Sequence, residues 1–385
     1  MKIFFITNAM GKGGAERVIC NLTSYLSNKN EITIISVNNT YIAYKLDEKI
    51  KYYTLDDEYT DIYSNNNKNK KNIYFLYKKI STFLHRVKKL NKYKRDLEPD
   101  IIVAFTPIPS FITLISNVIK KVPTIVSIRN DPKKEFKNIK NYILMKWLYP
   151  KCDGFVFQTN EAKEYFDKKI QKKSEIIPNP INPIFIEKSY QKDRNKEIVS
   201  VGRLEKQKNQ KILIEAFANI ASKYNEYKLI IYGEGKLREE LQELIKKLNL
   251  SNKVFLPGNV ENIKEKIYKA EMFVLSSEYE GMPNALMEAM ALGVPVISTD
   301  CPCGGPKFLI KNNINGILVE NKNKDELINA IEKIILNPNE SKILGINASK
   351  ISETLNPDII NRRWENYIEK ILTQDIEENK IKNEK

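Results

Sequence analysis

Histidine is almost missing from this 385-residue chain, and His85 is its one example. Chemistry that relies on several imidazoles, such as zinc ligation or paired acid–base histidines, therefore has little to draw on. Cysteine is nearly as scarce. Cys20, Cys152, Cys301 and Cys303 form a single close pair in sequence, with no other Cys or His beside it. Neither a disulfide framework nor a four-ligand zinc site is expected, and the thiols read as reduced. No apolar run approaches the roughly 20 residues that a membrane-spanning helix needs. The opening stretch Met1–Asn8 is too short for a signal peptide and lacks a small-residue cleavage site, so it reads as a first β-strand of a cytoplasmic protein.

What is present is a globular composition and an uneven charge. A hydrophobic content of 42% and an aromatic content of 10% exclude wholesale disorder. The length is too great for one ordinary core and suits two. Residues 1–190 hold 33 Lys and Arg against 19 Asp and Glu, a net +14, whereas residues 191–385 hold 30 against 29, a net +1; together they make the +15 of the chain. A positive first half attracts nucleic acid, anionic lipid or a phosphorylated acceptor, and Lys-rich genomic composition offers a plainer source of the same excess.

Apolar runs alternate with helical patterns throughout. In the first half, Ile3–Thr7, Glu31–Val37, Ile101–Phe105, Pro123–Ile128 and Gly154–Gln158 read as short buried strands, with a helix over Ala15–Leu26. Strand, helix, strand at this spacing is the βαβ unit of a parallel sheet. Ser64–Asn72 is low-complexity and expected as a mobile loop. Three prolines in Pro178–Pro183 break the pattern and suit an interdomain connection. A second series follows, with strands near Glu197–Val201, Lys228–Tyr232, Val254–Leu256, Met272–Leu275, Val294–Ser298 and Gly316–Val319. Helices fit Gln210–Lys223, Leu237–Leu248, Glu261–Lys269, Ala285–Leu292 and Lys324–Leu336. The expected fold is α/β, with two doubly wound Rossmann-like domains, 1–185 and 186–357, facing each other across a cleft. A helix and polar tail at 358–385 complete the chain. Ligands of such sheets bind at the carboxyl ends of the strands.

The strongest motif is Glu278-Tyr279-Glu280-Gly281-Met282-Pro283-Asn284-Ala285-Leu286-Met287-Glu288, which follows a buried strand and opens a helix. Gly281 and Pro283 shape a turn that presents backbone N–H groups, and the helix start adds its positive dipole end. Glu280 and Glu288 can both face one ligand and accept hydrogen bonds from sugar hydroxyls. Earlier in the chain, Val201-Gly202-Arg203-Leu204-Glu205-Lys206-Gln207-Lys208-Asn209 also follows a strand.

These segments resemble retaining GT-B glycosyltransferases, especially glycosyltransferase family 4 with its E-x7-E signature, over nearly the whole chain. The resemblance implies that Arg203 and Lys208, in a loop opened by Gly202, neutralise the diphosphate of a nucleotide-sugar donor and stabilise it as leaving group. It places Glu288 on the ribose hydroxyls, Glu280 beside the transferred sugar, and Gly281, Met282, Pro283 and Asn284 near sugar and phosphate. Gly233 corresponds to a Gly-rich turn near the nucleotide, and Gly258, Asn259 and Val260 to the loop against the base. Gly13 and Gly14 resemble the family's first loop, where the backbone approaches diphosphate or acceptor. Arg203, Lys208 and Glu280 are the expected catalytic residues.

Two departures stand out. Many relatives carry a His after the strand at Pro123–Ile128, where this chain has Arg129-Asn130-Asp131; a similar Arg-Asn occurs in a subgroup that builds bacterial surface glycans. Arg129 and Asn130 are therefore the acceptor candidates, in a mechanism where the donor phosphate itself takes the acceptor proton. The second departure is Phe308, in Cys301–Phe308, where relatives often have an acidic residue. No metal or cofactor is implied, since no Asp-x-Asp occurs in a donor loop and the cations can supply the charge.

The expected reaction is transfer of a hexose or N-acetylhexosamine from a UDP-sugar to a polyprenyl-linked or surface-polysaccharide glycan. Residues Ile73–Leu97 form a basic helical pattern with Leu76, Ile80, Phe83, Leu84, Val87 and Leu90 along one face. Such a helix either lies on an anionic bilayer or packs as an ordinary outer helix with a solvated basic face. Membrane docking fits the resemblance and a peripheral location on the inner face of the cytoplasmic membrane. Two competing functions are a nucleotide-sugar epimerase on the same double-Rossmann plan, against which the single His argues, and a nucleic-acid-binding protein. No recognised RNA or DNA module supports the latter, so no nucleic-acid partner is expected.

Overall fold

The computed structural model describes residues 1–11, 13–58, 73–187 and 194–383, leaving aside the side chains of 73–76 and 378–383. Ser64–Asn72 and Lys12 lie outside the described residues. The chain forms two compact units, Met1–Ile177 with Ile360–Lys385, and Pro178–Ile359.

The first unit is built on a seven-stranded sheet: β1 (Lys2–Thr7), β2 (Glu31–Ser36), β3 (Lys51–Thr54), β4 (Ile101–Phe105), β5 (Thr124–Ser127), β6 (Gly154–Phe157) and β7 (Ser174–Ile176). The order is β3-β2-β1-β4-β5-β6-β7, and every pairing is parallel. Central strands such as Ile101–Phe105 are buried along their whole length, because helices cover both faces of a parallel sheet and leave no polar side. The unexpected strands are the two edges. Lys51–Thr54 and Ser174–Ile176 are short and only half buried, so neither produces the apolar run that marks the centre.

The last helix, Pro357–Asn383, takes up nearly all of the segment expected to hold a helix and a polar tail, and its stretch from Ile360 belongs to the first unit. Trp364 is fully buried and stacks on Phe105 with ring centroids 5.9 Å apart. The Tyr367 hydroxyl accepts from the Phe155 amide at 3.0 Å and donates to the Lys173 carbonyl at 2.8 Å.

The helix Ile73–Leu97 has the expected bounds, but its apolar stripe splits. Val87 and Leu90 are in the core, with Phe83 packed against them, while Ile80 and Leu84 stay exposed. Its cations are also partly spent. Arg86 donates to Asp56 at 2.8 and 2.7 Å, Lys89 pairs with Asp57, and Lys94 is buried, donating to Ser116 and Asn117. The carboxyl half of this helix is thus an internal support. No helix among the described residues is long and apolar enough to cross a membrane.

The second unit repeats the plan with six parallel strands: β8 (Asn195–Val201), β9 (Lys228–Tyr232), β10 (Val254–Gly258), β11 (Ala270–Leu275), β12 (Val296–Asp300) and β13 (Ile317–Glu320). Their order is β10-β9-β8-β11-β12-β13. Both sheets therefore reverse direction of growth once, between β1 and β4 in the first unit and between β8 and β11 in the second. At such a reversal the loops leaving the two strands diverge to opposite faces and open a crevice at the carboxyl edge.

Candidate functional site

In the second unit, the loop after β8 contains Gly202, Arg203 and Lys208, and the loop after β11 contains Glu280 to Asn284. The topological reversal thus sets the two strongest motifs side by side, although 72 residues separate Lys208 from Glu280. Lys208 Nζ lies 2.5 Å from Glu280 Oε1. The Ser277 hydroxyl donates to the same oxygen at 2.6 Å. Glu280 and Glu288 are both buried, and a buried carboxylate must be paired or hydrogen-bonded to stay charged. An ammonium has three donors, so Lys208 can hold Glu280 and a phosphate oxygen together. Arg203 is 65% exposed at its side chain, with Nη1 3.3 Å from Glu205 Oε1. Solvent screens that pair, which leaves the guanidinium free to turn to a stronger anion.

Backbone ties fix the geometry between the two loops. The Glu278 amide donates to the Gln207 carbonyl at 2.7 Å, and Gln207 Nε2 to the Tyr279 carbonyl at 3.0 Å. The Ser276 hydroxyl donates to the carbonyls of Lys208 and Asn209 at 3.0 and 3.1 Å. Gln210 Nε2 reaches back to the Arg203 carbonyl at 2.8 Å. From the next strand, Thr299 Oγ1 donates to the Ser277 carbonyl at 2.6 Å. None of Ser276, Ser277, Gln207, Gln210 and Thr299 was singled out from the sequence. The one available signal was Ser276-Ser277 directly after an apolar strand.

The turn Gly281–Asn284 enters the helix Asn284–Ala291, whose amino end, with its positive dipole, is the kind of place that seats an anion. Two supports hold this turn. The segment after β12 brackets Glu280, with the Glu280 amide donating to the Pro302 carbonyl at 2.7 Å and the Cys303 amide to the Glu280 carbonyl at 3.1 Å. Gly305 passes so close that a Cβ there would sit 1.9 Å from the Gly281 carbonyl oxygen, which requires glycine. On the other side, Asn179 Nδ2 donates to Asn284 Oδ1 at 2.7 Å. The proline-rich connection therefore contributes a contact to the motif. Cys301 and Cys303 are buried, and burial beside Glu280 pushes the Cys301 thiol up, so it stays protonated. Phe308 is exposed.

Gly233, Gly258, Asn259 and Val260 lie farther along the same carboxyl edge, after β9 and at the end of β10. Gly233 has φ of +132°, and a Cβ there would meet the Gly202 carbonyl oxygen at 2.1 Å. Only glycine lets these two loops touch. The Gly233 amide donates to the Gly258 carbonyl at 2.9 Å, and the Leu204 amide to the Glu234 carbonyl at 3.0 Å. Asn259 is exposed and Val260 half-buried.

The other four candidates belong to the first unit. Gly13 caps the helix Gly14–Leu26 after β1. The reversal there is bridged by Asn8 Nδ2, which donates to Thr106 Oγ1 at 3.1 Å. Arg129, after β5, is buried, with its guanidinium carbon 5.3 Å from the Phe105 ring centroid and Nη1 3.4 Å from Ser127 Oγ. Burial lowers its pKa to about 9. Asn130 Oδ1 accepts from the Asp131 amide, and Asp131 caps the short helix Pro132–Glu135. Glu135 in that helix is pushed up to about 8, by burial first and by Asp131 second.

Comparisons with known proteins cover both units. The family described as Glycosyltransferase Family 4 matches residues 12–184, and the family described as Glycosyl transferases group 1 matches residues 182–351. The chain is 31% identical over 346 residues to a Campylobacter jejuni enzyme, covering 87% of this chain and 90% of the relative. That enzyme is named N-acetylgalactosamine-N,N'-diacetylbacillosaminyl-diphospho-undecaprenol 4-alpha-N-acetylgalactosaminyltransferase. A second Campylobacter jejuni relative, an alpha-1,4-N-acetyl-D-galactosaminyltransferase also named for an undecaprenol-linked glycan, is 28% identical over 94% of this chain and 97% of its own. Among solved structures, sucrose-phosphate synthase from Thermosynechococcus elongatus aligns with a TM-score of 0.80 at 15% identity, covering 97% of this chain and all of that one. The Anabaena HepE protein in complex with UDP aligns with a TM-score of 0.75 at 18% identity, covering 96% of this chain and all of that one.

Proposed function

The chain belongs to glycosyltransferase family 4 and has the two-Rossmann-domain GT-B fold, and from that premise we propose that it transfers a hexose or N-acetylhexosamine from a UDP-sugar to a lipid-linked glycan with retention of configuration. The observation that carries this reading is the meeting of Lys208 with Glu280 where the sheet order reverses, next to the start of the helix Asn284–Ala291. That arrangement offers fixed cations and backbone N–H groups to a diphosphate, and buried carboxylates to sugar hydroxyls.

In the proposed reaction the bond between the sugar's anomeric carbon and the diphosphate oxygen breaks. The acceptor oxygen forms the new bond to that carbon on the same face, and its proton passes to the departing phosphate. Negative charge grows on the leaving diphosphate, so Lys208 and Arg203 stabilise the transition state more than the bound donor. Glu280 does two things: it holds Lys208 in place and sets an acceptor beside the transferred sugar. Glu288 takes the ribose hydroxyls, while Asn259 and Val260 flank the base. Gly13 and Gly14 let the backbone approach the diphosphate or the acceptor, and Arg129 and Asn130 serve the acceptor side. The acceptor class is supported by the two relatives named for undecaprenol-linked glycans, and a peripheral membrane location follows from such an acceptor.

The test is incubation of the protein with isotopically labelled UDP-sugars, with and without a polyprenyl-diphosphate-linked glycan. Acceptor-dependent release of UDP, with a glycan product whose new linkage has the donor's anomeric configuration, is the expected result. An isomerised UDP-sugar formed without acceptor would replace the reading with an epimerase.

A further inference from the structure

The helix Ile139–Leu148 shows apolar side chains on both of its faces. Met145 and Leu148 are buried in the first unit, as an amphipathic helix requires. The opposite face keeps Ile139, Ile143 and Trp147 at 65%, 59% and 56% exposure, with Tyr142 beside them. Those four residues recur at i, i+3, i+4 and i+8 and form one stripe. Exposing a Trp and two Ile in a row is costly in water, so the stripe points to a partner.

Charge selects which partner. Residues 133–151 hold six lysines and one acidic residue, Glu135. Lys146 Nζ stands 5.8 Å from the Tyr142 ring centroid, and Lys151 Nζ 3.8 Å from that of Trp147. Apolar side chains flanked by lysine stems, with the aromatics at the boundary, match the depth profile of a bilayer interface: rings at the headgroups, ammonium groups out among the phosphates. A second copy of the same face would instead bring lysines against lysines. The Ile73–Leu97 helix is less suited, since Arg86 and Lys89 are already paired with Asp56 and Asp57.

We propose that the outward face of the helix Ile139–Leu148 is a docking surface for an anionic lipid bilayer, with Ile139, Ile143 and Trp147 inserted among the headgroups and the surrounding lysines on lipid phosphates. The surface refines, and rests on, the membrane reading given under the proposed function, yet it is measured without donor or acceptor, so the two can fail separately.

The chain supplies its own reporter, because Trp147 is exposed whereas its only other tryptophan, Trp364, is fully buried. Vesicles of phosphatidylcholine alone, and of phosphatidylcholine with phosphatidylglycerol, are added to the full chain while tryptophan emission and co-sedimentation are followed. Expected are a blue shift with the anionic vesicles only, quenching by brominated acyl chains, and loss of binding at high salt. Ile143→Asp and Lys140→Glu, both on the exposed face, are each expected to weaken vesicle binding by roughly tenfold. Transfer to a water-soluble acceptor analogue stays at the wild-type rate in both. Absence of vesicle binding, or binding unchanged in both variants, would overturn the proposal. So would a lipid-free blue shift that grows with protein concentration and disappears in Ile143→Asp, which would make the face a contact between copies.

Discussion

The two sheets share one strand order through their first six strands, and each has a reversal point, yet the two crevices are furnished differently. In the second unit the reversal between β8 and β11 is rich in ionised groups and in loop-to-loop hydrogen bonds, with the Lys208–Glu280 pair at its centre. In the first unit the reversal between β1 and β4 is bridged by neutral Asn8 and Thr106, and its nearby cation, Arg129, is buried against an aromatic ring. The difference teaches what each edge can bind. A diphosphate with growing charge needs fixed cations and free N–H groups. A glycan acceptor needs hydroxyl partners and a surface that adapts to it. The same topology supplies the place; the loop residues decide the ligand.

The largest effect should come from breaking the charged crevice. Lys208→Ala removes the cation proposed to stabilise the departing diphosphate and takes a partner from buried Glu280, so turnover at saturating donor is expected to fall by about 10²–10³. A variant with a raised Michaelis constant and unchanged turnover would reduce Lys208 to a simple anchor. Arg203→Lys should lose a smaller part of the rate, because a point charge cannot reproduce the guanidinium fork on phosphate oxygens. Next comes Asn179→Ala, which removes the tie to the turn at Asn284. Loss of one such hydrogen bond costs about 1 kcal/mol, expected as a several-fold weaker donor affinity with near-normal turnover in steady-state kinetics.

The first unit yields a prediction of another kind. The Glu135 carboxyl is raised from 4.5 to about 8 in the folded state. The folded protein thus binds a proton that the unfolded chain has released between those values. The stabilising contribution of that proton is complete below 4.5 and is lost as pH rises through about 8. Glu135→Gln keeps the shape without the titration. Its unfolding midpoint, followed calorimetrically, should gain on the wild type from pH 5 to pH 8 by a few degrees. Parallel pH profiles for the two proteins would refute the buried-carboxyl account.

Much of this organisation was legible in the sequence, for reasons that can be named. The helices Gln210–Lys223 and Lys324–Leu336 appear with the bounds that periodicity gave them, because each has one apolar face and a distinct start. Central strands were legible because burial on both faces makes them apolar throughout. The short edges β3 and β7 escaped, since an edge strand is half solvated and its pattern is diluted. The motif loops could be placed after their strands, but their pairing could not. Nothing local links Lys208 to Glu280, or Asn179 to Asn284, until the sheet order brings them together. The helix Ile139–Leu148 hid for a different reason. Its apolar residues lie on both faces and leave no single stripe to read, and only the fold shows which of them stay exposed.

The central claim is that the donor's nucleotide belongs to the second unit's crevice, held by Glu288 through the ribose, and its most direct test is calorimetry with UDP. The wild type should bind, and Glu288→Ala should lose charge-assisted hydrogen bonds worth about 1.5–3 kcal/mol each, a tenfold or greater loss of affinity. Arg129→Ala, in the first unit, should bind UDP as the wild type does. Unchanged affinity in Glu288→Ala, or a loss of UDP binding in Arg129→Ala alone, would contradict the assignment of the two crevices.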